Sequence, residues 1–367
     1  MKKLFIIFAI ICLAAPVMAA DWSFYGNSRM QTWRDSNDIG PDGDQADDDD
    51  TTWSQQGNSR IGANVKVNDE IGGRFEYGTG VNLRHLYGTY TMGNGSQLLI
   101  GQTEPPSSIF YSNSVYGADG DFLGVGQFYV GRKPMIQWSM NSLKVALIQP
   151  LTQLTYFEVG AGLDDYDGDV DVDLPKLEVS YQFKTDMFFV DVFGGYQTYT
   201  LDADTGEDQD VDSYVIGVGG GVTFGAVYFN AGVHMGQNLG NYGASGFLTP
   251  YNADLDTDTE DMFAAMTSAG LDDEGDLVDN DALGYLAVLG FKASDMITIE
   301  AGYGYESYEW DIDDSEDVNI TQYYLNATIT IAPGFFIVPE IGKVEYELFD
   351  EDFGDFVYYG AKWQINF

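Results

Sequence analysis

From residue 22 onward, apolar and polar side chains alternate with a period of two in stretches closed by Gly, Asn and Asp. Sixteen such stretches predict strands near 22–34, 51–67, 71–79, 81–92, 97–103, 126–140, 143–151, 174–184, 187–201, 213–224, 226–236, 282–293, 296–310, 318–333, 335–349 and 356–367. In the last, Val357, Tyr359, Ala361, Trp363, Ile365 and Phe367 share one face, opposite Tyr358, Gly360, Lys362, Gln364 and Asn366. Ile297, Ile299, Ala301, Tyr303 and Tyr305 likewise oppose Thr298, Glu300, Gly302, Gly304 and Glu306, and Leu177, Val179, Tyr181 and Phe183 oppose Glu178, Ser180, Gln182 and Lys184. One face suits an apolar surround and the other suits water. Alternation by itself predicts no more than an antiparallel sheet with one buried face.

The connections narrow the choice. Tight turns such as Asn68-Asp69-Glu70, Gly93-Asn94-Gly95, Asn141-Ser142, Gly225, Ser294-Asp295 and Pro333-Gly334 interleave with long loops. Short turns at one end and long loops at the other mark a barrel in an outer membrane. The charge-free run Ser213–Met235 is long enough for a membrane helix, but Gly219-Gly220-Gly221 and the alternation of Tyr214, Ile216 and Val218 argue against one. A sheet in hydrocarbon has to close, because each unpaired backbone group at an open edge costs several kcal/mol. The expected fold is therefore all-β, a transmembrane antiparallel 16-stranded β-barrel, and that many strands enclose a lumen too wide for wall side chains alone to fill.

Composition adds a compartment and a charge distribution. Residues 1–19 read as a signal peptide: Lys2 and Lys3, an apolar stretch from Leu4 to Ala15, and a small-residue cleavage site at Val17-Met18-Ala19. The remaining 20–367 read as a single barrel domain without cysteine, since the only one is Cys12. The chain has 58 acidic and 16 basic residues, a net charge of -42, which excludes a nucleic-acid partner. Forty-four of the acids fall in the segments 35–50, 104–127, 152–173, 202–212, 237–281, 311–317 and 350–355, which hold no Lys or Arg. A rim of carboxylates predicts a preference for cations, screened over roughly 10 Å at 0.1 M salt.

Over the whole of 20–367 the chain resembles the general porins of Gram-negative outer membranes. The likeness lies in the opening strand Trp22-Ser23-Phe24-Tyr25-Gly26, the terminal Phe367 after alternating aromatics, and Leu99-Ile100-Gly101-Gln102-Thr103 leading into the loop 104–127 and out through Tyr129-Val130-Gly131-Arg132. The resemblance implies an inward-folded third loop and a constriction with a basic wall, here Arg29, Arg60, Arg74, Arg84 and Arg132, facing an acidic lip of Glu104, Asp119 and Asp121, with Glu76 on the face of Arg74. It also implies a homotrimer in outer-membrane lipid and lipopolysaccharide, inserted by the barrel assembly machinery and passing ions and small hydrophilic solutes. Two departures stand out: Gly117-Ala118-Asp119-Gly120-Asp121 replaces the family's usual turn in that loop, and the connection at Gly78-Thr79-Gly80 is very short. Adjacent charges and prolines at Arg132-Lys133-Pro134 and Pro339-Glu340 suggest bulges.

The remaining chemistry is sparse, and no cofactor is expected. Asp165, Asp167, Asp169 and Asp171 are oxygen donors suited to Ca2+ or Mg2+, without the calcium-loop spacing. Thr259 could cap a short helix ended by Gly270. His85 and His234 are the only histidines, and neither a nucleophile elbow nor an H-E-x-x-H motif is present, so an enzyme is not expected. A substrate-specific channel or a surface-interaction barrel with a closed lumen are the competing readings.

Overall fold

A computed structural model describes residues 20–39, 48–152, 155–158, 162–165, 168–203, 208–244, 266–271, 276–312, 317–349 and 351–367. Eighteen strand segments in one sheet form sixteen staves, because two staves are interrupted. The staves are β1 (Asp21–Ile39), β2 (Asp48–Gln55 with Arg60–Lys66), β3 (Ile71–Gly78), β4 (Leu83–Thr91), β5 (Gln97–Thr103), β6 (Lys133–Met140), β7 (Leu143–Ile148) and β8 (Gly168–Asp171 with Lys176–Lys184). They continue as β9 (Phe188–Ala203), β10 (Gln209–Phe224), β11 (Val227–Gln237), β12 (Asn280–Lys292), β13 (Ile297–Trp310), β14 (Val318–Ala332), β15 (Phe335–Leu348) and β16 (Glu351–Asn366). Each pairs antiparallel with the next, and β16 pairs with β1 from Asn27↔Asn366 to Ile39↔Gly354, which closes the ring. The run Ser213–Met235 is the β10–β11 hairpin, turning at Gly225 in a left-handed conformation.

Burial follows the alternation. Leu177, Val179, Tyr181 and Phe183 are exposed while Glu178 and Ser180 are buried; Ile299 and Tyr303 are exposed while Glu300 and Glu306 are buried. Trp363 and Ile365 face out while Tyr358 and Lys362 face in. This is a barrel turned apolar side out, the arrangement that an apolar solvent favours and water does not.

Several boundaries move. The acidic segments 35–50, 202–212 and 350–355 are in part strand: β1 runs to Ile39, β9 to Ala203, and β10 and β16 begin at Gln209 and Glu351. Aspartates do not stop a ladder whose backbone partners continue, as Asp35↔Tyr358 and Asp35↔Asp50 show. Conversely, 126–132 is not strand: Gly126 and Gly131 have positive φ, and pairing with β5 begins only at Lys133. The prolines expected to bulge stay in register, Pro134 opposite Gln102 and Pro339 opposite Ala361, so each costs a ladder hydrogen bond without slipping the pairing. The register shifts fall instead at Glu76/Tyr77, Thr330/Ala332 and Tyr346/Glu347. The segments 1–19 and 254–261, including the Thr259 cap, lie outside the described residues, and Gly270 belongs to a short strand, Gly270–Leu271, pairing with Thr155–Glu158.

Candidate functional site

Among the described residues, the connection Glu104–Arg132 meets the wall almost all the way round. An ion pair between its first and last residues, Arg132 Nε to Glu104 at 2.8 Å, clasps its ends where they leave β5 and β6. Ser107 donates from its amide (3.1 Å) and hydroxyl (2.7 Å) to Glu178 on β8, and Tyr111 donates to Asp191 on β9. The amide of Asn113 donates to Glu300 on β13 at 2.7 Å. Glu340 on β15 accepts from Ser114 Oγ and from the amides of Val115 and Tyr116, at 2.9, 2.8 and 3.1 Å. Asp119 then pairs with Arg29 on β1 and, at 2.7 Å, with Lys362 on β16. Returning, Gly126 donates to Glu306 on β13 at 2.7 Å, and Phe128 lies against Phe193 and His234. All these wall carboxylates carry the parity opposite to the exposed apolar residues.

The wall is shaped for this contact. A Cβ at Gly304 would meet the carbonyl of Val125, so the close approach of the segment to β13 depends on a bare backbone there. Gly117, Ala118, Asp119, Asp121 and Phe122 all have positive φ, a tight left-handed stretch that turns Asp119 onto Arg29. Tyr116 stacks on Tyr358 at 3.9 Å between centroids, with Trp33 edge-on, part of an apolar cluster inside the ring.

On the β1–β6 side the arginines cluster. Arg29, Arg60, Arg84 and Arg132 line one cavity of about 340 Å³ together with Glu104, Asp119, Asp121, Asn58, Phe110, Leu123 and Tyr129. Arg74 and Glu76 do not line it. Glu76 has no exposed side-chain surface and collects Arg84 Nε at 2.7 Å, Arg74 at 2.7 Å, Arg60 at 3.6 Å and the Tyr25 hydroxyl at 2.8 Å. It therefore sits behind the arginines as their common counter-ion. Arg74 turns away to Tyr25, whose ring it overlies.

Burial pushes the Glu104 carboxyl up, but Arg132 and His85 outweigh it and hold it below the usual range. Desolvation, with Asp119 beside it, raises the Asp121 carboxyl well above the usual range. Of the aspartates considered for Ca2+ or Mg2+, Asp169 and Asp171 pair along β8 and β9, while Asp167 and the Asp165 side chain lie outside the described residues. Among the described residues no three His, Cys, Asp or Glu side chains are grouped to hold a metal ion. His85 contacts Thr103 at 3.0 Å and His234 contacts Glu306 at 2.8 Å.

Sequence reasoning placed Glu178, Glu300, Glu306 and Lys362 on the inner face but gave them no role, and it read Glu340 only as a bulge site. The signal available was acids of lumen parity with no base opposite them on the neighbouring stave, such as Glu300 between Gly290 and Asn326.

A closed sixteen-stave barrel, polar within and apolar without, is the porin fold. No family model matches the chain, and no curated protein matches it in sequence. Solved structures do match. The outer membrane channel DcaP of Acinetobacter baumannii superposes with a TM-score of 0.63 at 16% identity, covering 94% of this chain and 97% of that one. The outer membrane protein OmpT of Vibrio cholerae gives 0.57 at 16%, covering 95% and 98%, and an anion-selective porin from Comamonas acidovorans 0.58 at 10%, covering 95% and 100%. At these identities the likeness is one of fold.

Proposed function

We propose that this chain is an outer-membrane porin, a passive pore for ions and small hydrophilic solutes, in which Glu104–Arg132 is an inward third loop and the arginine-lined cavity is the constriction. The observation that carries this reading is the cavity itself: four guanidiniums and three loop carboxyl groups line one cavity of about 340 Å³ inside a ring whose outer face is apolar. Arginine suits a constriction because it stays charged and presents a fixed fork of donors. Export through a signal peptide at 1–19, insertion by the barrel assembly machinery, a homotrimer, and contact with lipid and lipopolysaccharide belong to the same reading.

The proposed selectivity is set by two opposed fields. The carboxylate-rich long-loop end gathers cations, while the cavity carries more guanidinium than carboxylate. The outer field is exposed and screened by salt; the inner one is shielded and persists. A cation preference at low ionic strength should therefore weaken toward molar salt. Planar-bilayer recording tests both parts: discrete steps establish the pore, and a reversal potential across a dilute salt gradient gives the sign. Anion selectivity at low salt would defeat the cation preference, and an absence of steps would defeat the pore.

A further inference from the structure

The opposite half of the ring contains a second inner element. Residues 238–244 and 266–270, from the connection between β11 and β12, are buried for most of their length. Asn238 and Asn280 exchange hydrogen bonds across the neck of that connection, at 2.7 Å between backbones and 2.8 Å from the Asn280 amide to Asn238 Oδ1. A single turn, Leu239–Tyr242, rests on the strip 266–270 through the Gly240 amide to the Thr267 carbonyl at 2.6 Å and the Ala269 amide to Asn241 Oδ1 at 2.8 Å. Trp310 on β13 donates to the Ser268 carbonyl at 3.1 Å, and Gln197 on β9 donates to the Asn241 carbonyl at 3.0 Å.

The tip of this element is Tyr242. Its carbonyl accepts from Lys176 Nζ at 2.7 Å, its hydroxyl donates to Glu178 at 3.0 Å, and its ring packs on Phe128 with centroids 5.9 Å apart. The wall accommodates it: a Cβ at Gly195 would strike the Tyr242 hydroxyl. Glu178 is thus shared. One oxygen takes Tyr242 and the other takes Ser107 of the first segment.

We propose that residues 238–244 and 266–270 form a second interior insert, locked to the first through Glu178 and Phe128, which closes the β8–β13 side of the lumen and confines permeation to the arginine-lined cavity. Tyr242 and Glu178 are positioning residues, and the width of the pore is set by whether this lock holds. The inference rests on the pore reading. A lock of two hydrogen bonds, from Lys176 and to Glu178, and one ring contact opens more readily than a wall strand does, because its loss leaves the barrel ladder untouched.

The test uses the full chain folded in detergent and in planar bilayers, carrying Thr267→Cys as a reporter, since Thr267 is 3% exposed. Tyr242→Ala and Glu178→Gln should each speed labelling by a membrane-impermeant sulfonate thiol reagent by about tenfold, the equivalent of one hydrogen bond to a charged group. Both should also enlarge the conductance step and admit larger polyethylene glycols, a readout that lost stability alone does not move. Should Tyr242→Ala fail to fold, Tyr242→Phe, which removes only the hydroxyl, decides with Glu178→Gln. Folded variants with unchanged labelling, step size and exclusion size overturn the insert. A parent chain that gives no steps overturns the pore reading instead, and labelling then still decides whether Tyr242 and Glu178 hold the insert closed.

Discussion

The two halves of the ring use charge in opposite ways. On the β1–β6 side β3 to β6 are short, the inner face carries cations, and Glu76 is shared among three arginines, two of which line an open cavity. On the β8–β15 side most staves are longer, and the inner face carries Glu178, Asp191, Glu300, Glu306 and Glu340. Most of those carboxylates meet amides and hydroxyls of segments laid against them, and an apolar cluster fills the space between. An acid facing cations leaves room for water and solute, whereas an acid facing amides holds protein in place. The same residue type therefore builds a passage on one side and a filling on the other.

The largest effect should come from removing the shared acid of the open half. Glu76→Ala leaves three guanidiniums without their counter-ion and should cost about 3–5 kcal/mol, as breaking a buried ion pair does, read as a lower urea midpoint for unfolding. Its counterpart on the filled side is Glu340→Ala, which strands Ser114, Val115, Tyr116, Asn326 and Tyr358. About 2–3 kcal/mol is expected from the unsatisfied donors, with Glu340→Gln recovering part of it. Equal, negligible losses for both variants would erase the distinction between the halves.

Smaller effects sharpen the contrast. Arg60→Ala removes a guanidinium whose nearest carboxylate is 3.6 Å away, so the fold should survive while the reversal potential moves toward cations. Asp121, with its carboxyl raised by desolvation and by Asp119, binds a proton in the folded chain that the unfolded chain has released. Its contribution to stability is therefore greatest in acid and falls as pH rises through the ordinary carboxylate range toward its raised pKa; Asp121→Asn should flatten that part of a stability-pH profile. Least of all, Asp69→Ala at the turn after β2 breaks an exposed pair with Lys66 and should leave the unfolding midpoint unchanged.

Much of the barrel was legible because a strand in a two-sided solvent writes its environment into every second residue. Ile299 and Tyr303 against Glu300 and Glu306 gave the inner and outer faces directly, and turn length gave the two ends. The arginines at lumen parity were legible for the same reason. Strand ends were not, since Asp35 and Asp202 read as loop although ladder pairing carries the strands past them.

Local sequence thus determined stave number, facing and the clustering of basic residues early in the chain. Which carboxylate meets which donor was decided only by closure of the ring, which brings Asp119 to Lys362, 243 positions away, and Ser114 to Glu340, 226 away. Glu76 becomes a counter-ion and Glu178 a lock because of what the fold lays against them. No period or spacing records that, because hydrogen-bond partners across a lumen are neighbours in space alone.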